Sequence, residues 1–326
     1  MKNHVLFILA LIAAQIPAMA QLLAPKAPTD EMFFVSDTQQ PMWVETILLR
    51  RNRNTEATAS IFNSILQEKP KTLFMLGDIV SLGFATNKWK KVDKFLDTCR
   101  RQGTQVYGLL GNHDVMGRKK KGESNFQKRF PDNVRTGYVT VTDSVAVVML
   151  NSNFGTLSGT EEKAQQTWYT TKLNELDADD SIKAVIVCCH HAPFTNSKVV
   201  GCSKAVQEKF VPAYIASKKA KLFITGHSHN FEHFKMQHKD FLVIGGGGGL
   251  HQPLGTAPDE MQDLANTYKP SYHYLSVKRN DDNLVVTSHF LKDDFITCAN
   301  GMCFDTHAPG QNMAVKEEKV PVRTEN

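Results

Sequence analysis

The chain has 326 residues, 41% of them hydrophobic and 22% charged, and carries a formal net charge of +5. This balance excludes an intrinsically disordered chain, and without a long basic stripe interleaved with aromatics it gives a general nucleic-acid binder no support. Six cysteines occur with no C-x-x-C pair, which removes zinc-ribbon and thioredoxin-like readings; the length suits one large domain or two ordinary ones.

Residues 1–20 carry Lys2, an apolar run at 5–16 and the small-residue pattern Ala18-Met19-Ala20. This is the layout of a secretory signal cleaved before Gln21, and it predicts export to the periplasm or medium. The run is shorter than the roughly 20 residues of a membrane span, so a retained anchor is the weaker alternative. Cleavage removes one lysine and no acid, lowering the charge to +4.

From residue 30 the apolar pattern alternates. Short apolar runs at 32–35, 72–76, 106–110, 145–150, 184–189 and 222–225 predict buried strands. Between them, helical spacing predicts helices at 55–67 (Ala59, Phe62, Ile65, Leu66), 87–101 (Trp89, Val92, Phe95, Leu96, Cys99), 161–176 and 204–217. Such alternation predicts an α/β layered fold with buried sheets. The last third differs. A strand at 241–244 runs into five glycines, Gly245 to Gly249, and two strands at 272–277 and 284–291 are joined by the turn Asn280-Asp281-Asp282-Asn283. From about Asp305 the chain is polar and is expected to be a flexible tail. Cys298-Ala-Asn-Gly-Met-Cys303 would close a small disulfide loop about an Asn-Gly turn, while Cys188 and Cys189, inside an apolar run, read as buried free thiols.

The chemistry sits where these strands end. Ser36-Asp37-Thr38-Gln39 follows the first and Gly77-Asp78 the second. Gly111-Asn112-His113-Asp114 follows the third, His190-His191 the 184–189 run and Gly226-His227-Ser228-His229 the 222–225 run. Each has a plain reading as a cap, loop or core residue. Five together at the ligand-binding edge of an α/β sheet point to a site. Oxygen and imidazole donors without a thiolate suit hard or borderline divalent ions, and they are too many for one ion. A pair of ions is the arrangement that clamps attacking and leaving oxygens in displacement at phosphorus.

The ordered set D-x-[H/Q], G-D, G-N-H-[D/E], H, G-H-x-H resembles the calcineurin-like metallophosphoesterases, a family that includes purple acid phosphatases and many exported bacterial enzymes. The resemblance implies a four-layer α-β-β-α sandwich of two mixed sheets over residues 31–292, with a dinuclear site at one sheet edge. A linker at 21–30 would precede it, and a partly disordered extension at 293–326 would follow. The family pattern implies that Asp37, Gln39 and His229 hold a first metal, Asp78 bridges, and Asn112, His190 and His227 hold a second. His113 would serve the phosphate or the leaving oxygen, with Asp114 orienting its ring, and a hydroxide bridging the metals would attack the ester. Two departures bear on the metals, Gln39 where many members have His, and Ser81 where purple acid phosphatases have a tyrosine ligand. No tyrosinate colour is expected; Mn, Mg, Zn and Fe(II) stay open.

The basic run Arg118-Lys119-Lys120-Lys121 is tethered to the catalytic loop and is expected either to recruit anionic substrate or to be a solvated charged face. His191, Phe194, His251 and the glycine run are expected at the rim, with His191, Arg118, Lys119 and Lys120 as candidate substrate contacts. The glycines are expected to allow close backbone packing rather than to cradle phosphate. The reading is a monomeric phosphoesterase for small phosphate esters, leaning to monoesters. Diesters and nucleotide pyrophosphates are its alternatives, and a non-catalytic metal or phosphate binder is the runner-up from another class.

Overall fold

The computed structural model describes residues 29–255, 261–265, 271–280, 283–291, 297–305 and 312–313. Residues 1–28, which hold the expected signal and most of the linker, lie outside them, as does most of the polar tail. No helix among the described residues is long and apolar enough to cross a membrane.

Two mixed sheets form. The first has β1 (Thr29–Val35), β2 (Pro70–Met75) and β3 (Gln105–Gly108) side by side and parallel. The second contains the hairpin of β4 (Tyr138–Thr142) with β5 (Val145–Met149), then β6 (Ala184–Cys188) and β7 (Ala220–Thr225). It closes on a second hairpin, β8 (Phe231–Met236) with β9 (Lys239–Ile244), giving the order β4-β5-β6-β7-β9-β8. The chain then returns to the first sheet as β10 (His273–Asn280), β11 (Asn283–Leu291), β12 (Thr297–Asp305) and β13 (Asn312–Met313), antiparallel outside β1.

Period-two alternation assigns the faces. On β1, Phe33 and Val35 join one apolar cluster while Met32 and Phe34 join another. On β5, Val145, Val147 and Met149 join Met32 and Phe34, while Ala146 and Val148 face a third cluster. The middle cluster is therefore the seam between the sheets, and the outer two lie under helices. The first sheet is covered by α1 (Asn54–Glu68) through Ala57 and Ile61 and by α2 (Lys90–Arg101) through Phe95 and Leu96. Two short helices, α3 (Asn112–Val115) and α4 (Lys119–Gln127), follow β3. The second sheet is covered by α5 (Gly159–Ala178), started by a Ser158/Glu161 capping box, and by α6 (Lys204–Lys209) and α7 (Val211–Ala216). The architecture is the four-layer α-β-β-α sandwich.

Several elements differ from the sequence reading. The single helix expected over 204–217 breaks at Phe210, because Pro212 has no N–H to continue the ladder and instead sits in the first turn of a new helix. β4 and β8 escaped the apolar-run criterion. Their turns, Asp143-Ser144 and Gln237-His238, take left-handed backbone at both central positions without the Asn-Gly signature of such hairpins. Residues 300–301 continue β12 as strand, so the Asn-Gly turn does not form. The side chains of Cys298 and Cys303, and with them the expected disulfide, lie outside the described residues. The expected turn at 280–283 does close a register, with Asn280 opposite Asn283.

Candidate metal centre

Five parallel strands of the two sheets deliver their carboxyl ends to one place. Asp37 and Asp78, two and three residues past β1 and β2, take left-handed backbone (φ 59° and 48°), as does His227 past β7 (φ 68°). For a non-glycine residue that conformation is strained, and here it turns each side chain out of the strand direction toward the gap between the sheets. Gly111 explains the sharp turn after β3, since a Cβ there would overlap the Asp78 amide and carboxylate. The glycine run packs as closely. Gly247 N and Gly249 N donate to Ser36 O (2.9 Å) and Asp37 O (3.0 Å), and a Cβ at Gly249 would strike the His229 ring.

The side chains meet in two chains of contact. His190 Nε2 lies 3.3 Å from Asp78 Oδ2 and 3.2 Å from Asn112 Oδ1, and His229 Nε2 lies 3.4 Å from Asp37 Oδ1 and 3.3 Å from Gln39 Nε2. Ligand atoms of Asp37, Asp78 and His190 fall within 4.8 Å of one another, as do those of His190, His191 and His227. His227 N closes the link across the sheets by donating to Asp37 Oδ2 (3.0 Å).

The tautomers decide what fits. His190 Nδ1 faces Leu76 O at 2.9 Å and His229 Nδ1 faces Leu250 O at 2.6 Å; a carbonyl only accepts, so both rings carry hydrogen on Nδ1. Each Nε2 then turns toward carboxylate or amide oxygen. Acceptor against acceptor, buried, demands a cation between them, either a proton or a metal ion. The ionisation follows. Burial would lower the His190 ring, but Asp78 beside it pushes it up to about 9. Burial alone would raise Asp78, yet His190 and His113 hold it well below the usual carboxylate range. Burial and the His190 charge push His191 down to about 3, and the same causes with His191 hold His227 well below its ordinary value. His191 and His227 therefore favour the neutral, lone-pair-bearing form, while His190 and His229, raised by Asp78 and Asp37, would give up a proton to an arriving ion. One detail runs against metal binding, because Gln39 presents its amide nitrogen to His229, and a flip of the amide is needed to offer oxygen.

The residues around the expected phosphate position are arranged differently from the sequence reading. Asp114 does not touch the His113 ring. It is fully buried, and its carboxylate accepts from Gly111 N (2.9 Å), Ile79 N (3.1 Å) and Val80 N (3.3 Å), tying the β3 loop to the β2 loop. Burial and the Asp78 charge push its pKa up to about 8 against those amides. The His113 ring is oriented by Ser81, whose carbonyl lies 3.2 Å from Nδ1, and its backbone N–H donates to Asp78 Oδ1 at 2.7 Å. Its Nε2 faces Asp78 Oδ2 (3.8 Å) and Glu45 Oε1 (3.9 Å). Glu45 was missed. It sits on a turn with no strand before it, and only its place eight residues beyond Asp37 hinted at the site.

The contacts of the basic run are with other groups. Arg118 lies over the Phe84 ring, Lys119 donates to Gly155 O (3.0 Å), and Lys120 and Lys121 are exposed on α4. His191 joins the cluster instead, with Nδ1 2.8 Å from Ser152 Oγ. Phe194 is not at a rim either, since it is buried edge-on against Phe241 in the outer core of the second sheet.

These features define a buried cluster of oxygen and nitrogen donors between two sheets, a candidate metal site. A family model for calcineurin-like phosphoesterases matches residues 32–231, and the chain belongs to that family. A comparison with curated proteins returned no match. Among solved structures, the fold is similar to the purple acid phosphatase PPD1 from yellow lupin (Lupinus luteus) seeds, at 15% identity over 83% of this chain and 53% of that one, with TM-score 0.61. The chain thus spans about half the length of the lupin protein. It is also similar to GAP50, the anchor in the inner membrane complex of Plasmodium (12% identity, 89% and 90% covered, TM-score 0.60). A dimetal phosphatase from Danio rerio gives 14% identity, 82% and 98% covered, and TM-score 0.51. At these identities the likeness is one of fold.

Proposed function

We propose that the protein is an exported, monomeric phosphomonoesterase that binds two divalent ions, Mn, Fe, Zn or Mg, through Asp37, Gln39, Asp78, Asn112, His190, His227 and His229. The observation that carries this reading is the pair of buried histidines whose Nδ1 hydrogens are committed to carbonyls while each Nε2 faces a carboxylate. When bound, the ions would supply Lewis acidity at phosphoryl oxygens and an acidified water. The chain's own contribution is positional. Asp78, shared between His190 and His113, sets the spacing of the ion sites, and the Asp114 amide contacts hold the two loops that carry Asp78 and Asn112. His113, with Nδ1 held by Ser81, has Nε2 left to exchange a proton with the leaving oxygen.

A small terminal phosphate suits this site better than a diester, because His113 is only 8% exposed and Glu45 stands beside it, crowding a second ester group. The site asks for no nucleic acid. Export rests on the pattern in residues 1–20, and sequencing the exported chain from Gln21 checks it. A non-catalytic binder is the second reading, favoured by the Gln39 amide nitrogen that faces His229.

Metal analysis combined with turnover of p-nitrophenyl phosphate and bis-p-nitrophenyl phosphate tests both readings. Two ions per chain with faster monoester turnover is the expected result, and chelation should abolish it. His113→Ala should keep the metal and lose about 10²–10⁴ in kcat. Bound metal with no turnover of either ester establishes the binder instead, and faster diester turnover reassigns the substrate.

A further inference from the structure

The segment between the site wall and α1 leaves at Gln40 and returns at Thr55, whose hydroxyl donates to the Gln40 side chain and clasps the base of the loop. Within it, the turn Glu45–Ile47 has no buried residue. Glu45 points inward, accepting from Met42 N (2.6 Å) and facing His113. Its neighbours point out. Trp43 is 74% exposed, Val44 47%, Ile47 67% and Leu48 87%, four of the seven exposed large hydrophobics of the described chain within six residues. Such concentration marks an interaction surface rather than scattered surface apolars. Arg50 and Arg51 follow at once and are exposed. At the loop's base, Gln40 and Thr55 line a groove of about 260 Å³ together with Lys88, Lys91 and Lys94.

We propose that residues 41–53 dock the protein on an anionic lipid bilayer. Trp43, Ile47 and Leu48 enter the boundary between headgroups and acyl chains, and Arg50 and Arg51 lie among the lipid phosphates. An indole with long aliphatic tips, edged by guanidinium groups, is the chemistry of the bilayer interface, where one end of each group is apolar and the other wet. A second copy is a poorer occupant. A two-fold contact through the same patch would gather both copies' arginines into one interface, whereas lipid phosphates neutralise them. Because Glu45 belongs to the same turn, the docked surface lies beside the mouth of the metal centre. The inference does not rest on the catalytic reading.

Cosedimentation with vesicles of phosphatidylglycerol and phosphatidylcholine in equal parts, against phosphatidylcholine alone, tests it without any activity readout. The wild-type chain should pellet with the anionic vesicles and much less with the neutral ones, and added salt should weaken the preference. The Trp43→Ala/Ile47→Ala/Leu48→Ala variant should lose partitioning by at least about tenfold, given the apolar area removed. Arg50→Glu/Arg51→Glu should lose anionic preference by about fivefold or more per arginine. Every variant carries the same N-terminus, so any contribution from residues 1–20 cancels. All altered positions are exposed, and near-UV circular dichroism confirms the fold of each variant. A wild-type chain that stays in the supernatant, or a triple variant that pellets like wild type, overturns the proposal. So does a dimer that the triple variant splits while neither form binds vesicles.

Discussion

The two sheets contribute unlike halves to one site. The first sheet supplies oxygen donors, Asp37, Gln39, Asp78 and Asn112, while the second supplies imidazoles, His190, His191, His227 and His229. The halves are also held differently. The aspartates rely on left-handed backbone and on amides, with His113 N bonded to Asp78 and His227 N to Asp37. The histidines rely on carbonyls, Leu76 O and Leu250 O, that commit their Nδ1 hydrogens. Several of these anchors cross between the sheets, since Leu76 follows β2 and holds a ring from β6, while the His227 amide after β7 holds a carboxylate from β1. Neither half is therefore a site by itself. One brings carboxylate and amide oxygens and the other brings imidazole nitrogens, and each orients the other.

Removing one member from each half should have unequal effects. Asp78→Ala takes away the shared carboxylate and leaves His190 and His113 without their counter-charge. Activity should fall by at least about 10⁴-fold, and bound metal should drop sharply. His190→Ala leaves both carboxylates in place, so metal affinity should weaken by about 10²-fold while some turnover returns at high metal. Metal titration followed by aryl phosphate assays measures both, and equal losses would abolish the distinction between the halves.

Loosening the seam tests whether the halves depend on packing. Phe34 is fully buried between the sheets and stacks on Phe74 at 4.8 Å. Phe34→Ala should cost about 3–5 kcal/mol in urea unfolding, through lost burial and the cavity left behind.

The smallest effect concerns the second half alone. Glu232 on β8 accepts from Thr195 Oγ1 (2.7 Å), Asn196 N (2.6 Å) and Ser228 Oγ (3.0 Å), and so pins the loop between His227 and His229. Burial pushes its pKa up to about 7 from an ordinary 4.5. A carboxyl raised in the folded state binds more protons folded than unfolded, so it favours folding most below about pH 4.5. That contribution, on the order of 3 kcal/mol, should fall away as pH climbs to about 7 and stay flat above it. Melting curves from pH 4 to 8 should show the slope, and Glu232→Gln should remove this component of it.

Much of this was legible before folding. Apolar runs of strand length marked β1, β2, β3, β5, β6 and β7, because buried strands in a layered α/β fold need apolar side chains. The polar residues that interrupt those runs named every proposed ligand. What was not legible depends on partners far apart in sequence. Gln39 and His229 are 190 residues apart, and His190 reaches Leu76 across 114. The family resemblance implied that Asp114 orients the His113 ring, yet the short α3 turns its carboxylate back to amides 34 and 35 residues away. The basic run, tethered to the same loop, was read either as recruiting substrate or as a solvated face, and its contacts are with Phe84 and Gly155.

The sequence by itself determined which residues carry chemistry and that they stand at strand ends, because period, turn residues and strand length are local properties written in neighbouring side chains. Only the tertiary structure decided that two sheets face each other so that oxygen and nitrogen donors meet. It also decided which ring nitrogen faces the carboxylates, what orients His113, and that Trp43, Ile47 and Leu48 are left outside. Those outcomes are set by packing and by hydrogen bonds to backbone carbonyls and amides, groups that every residue carries and that no residue's identity reveals.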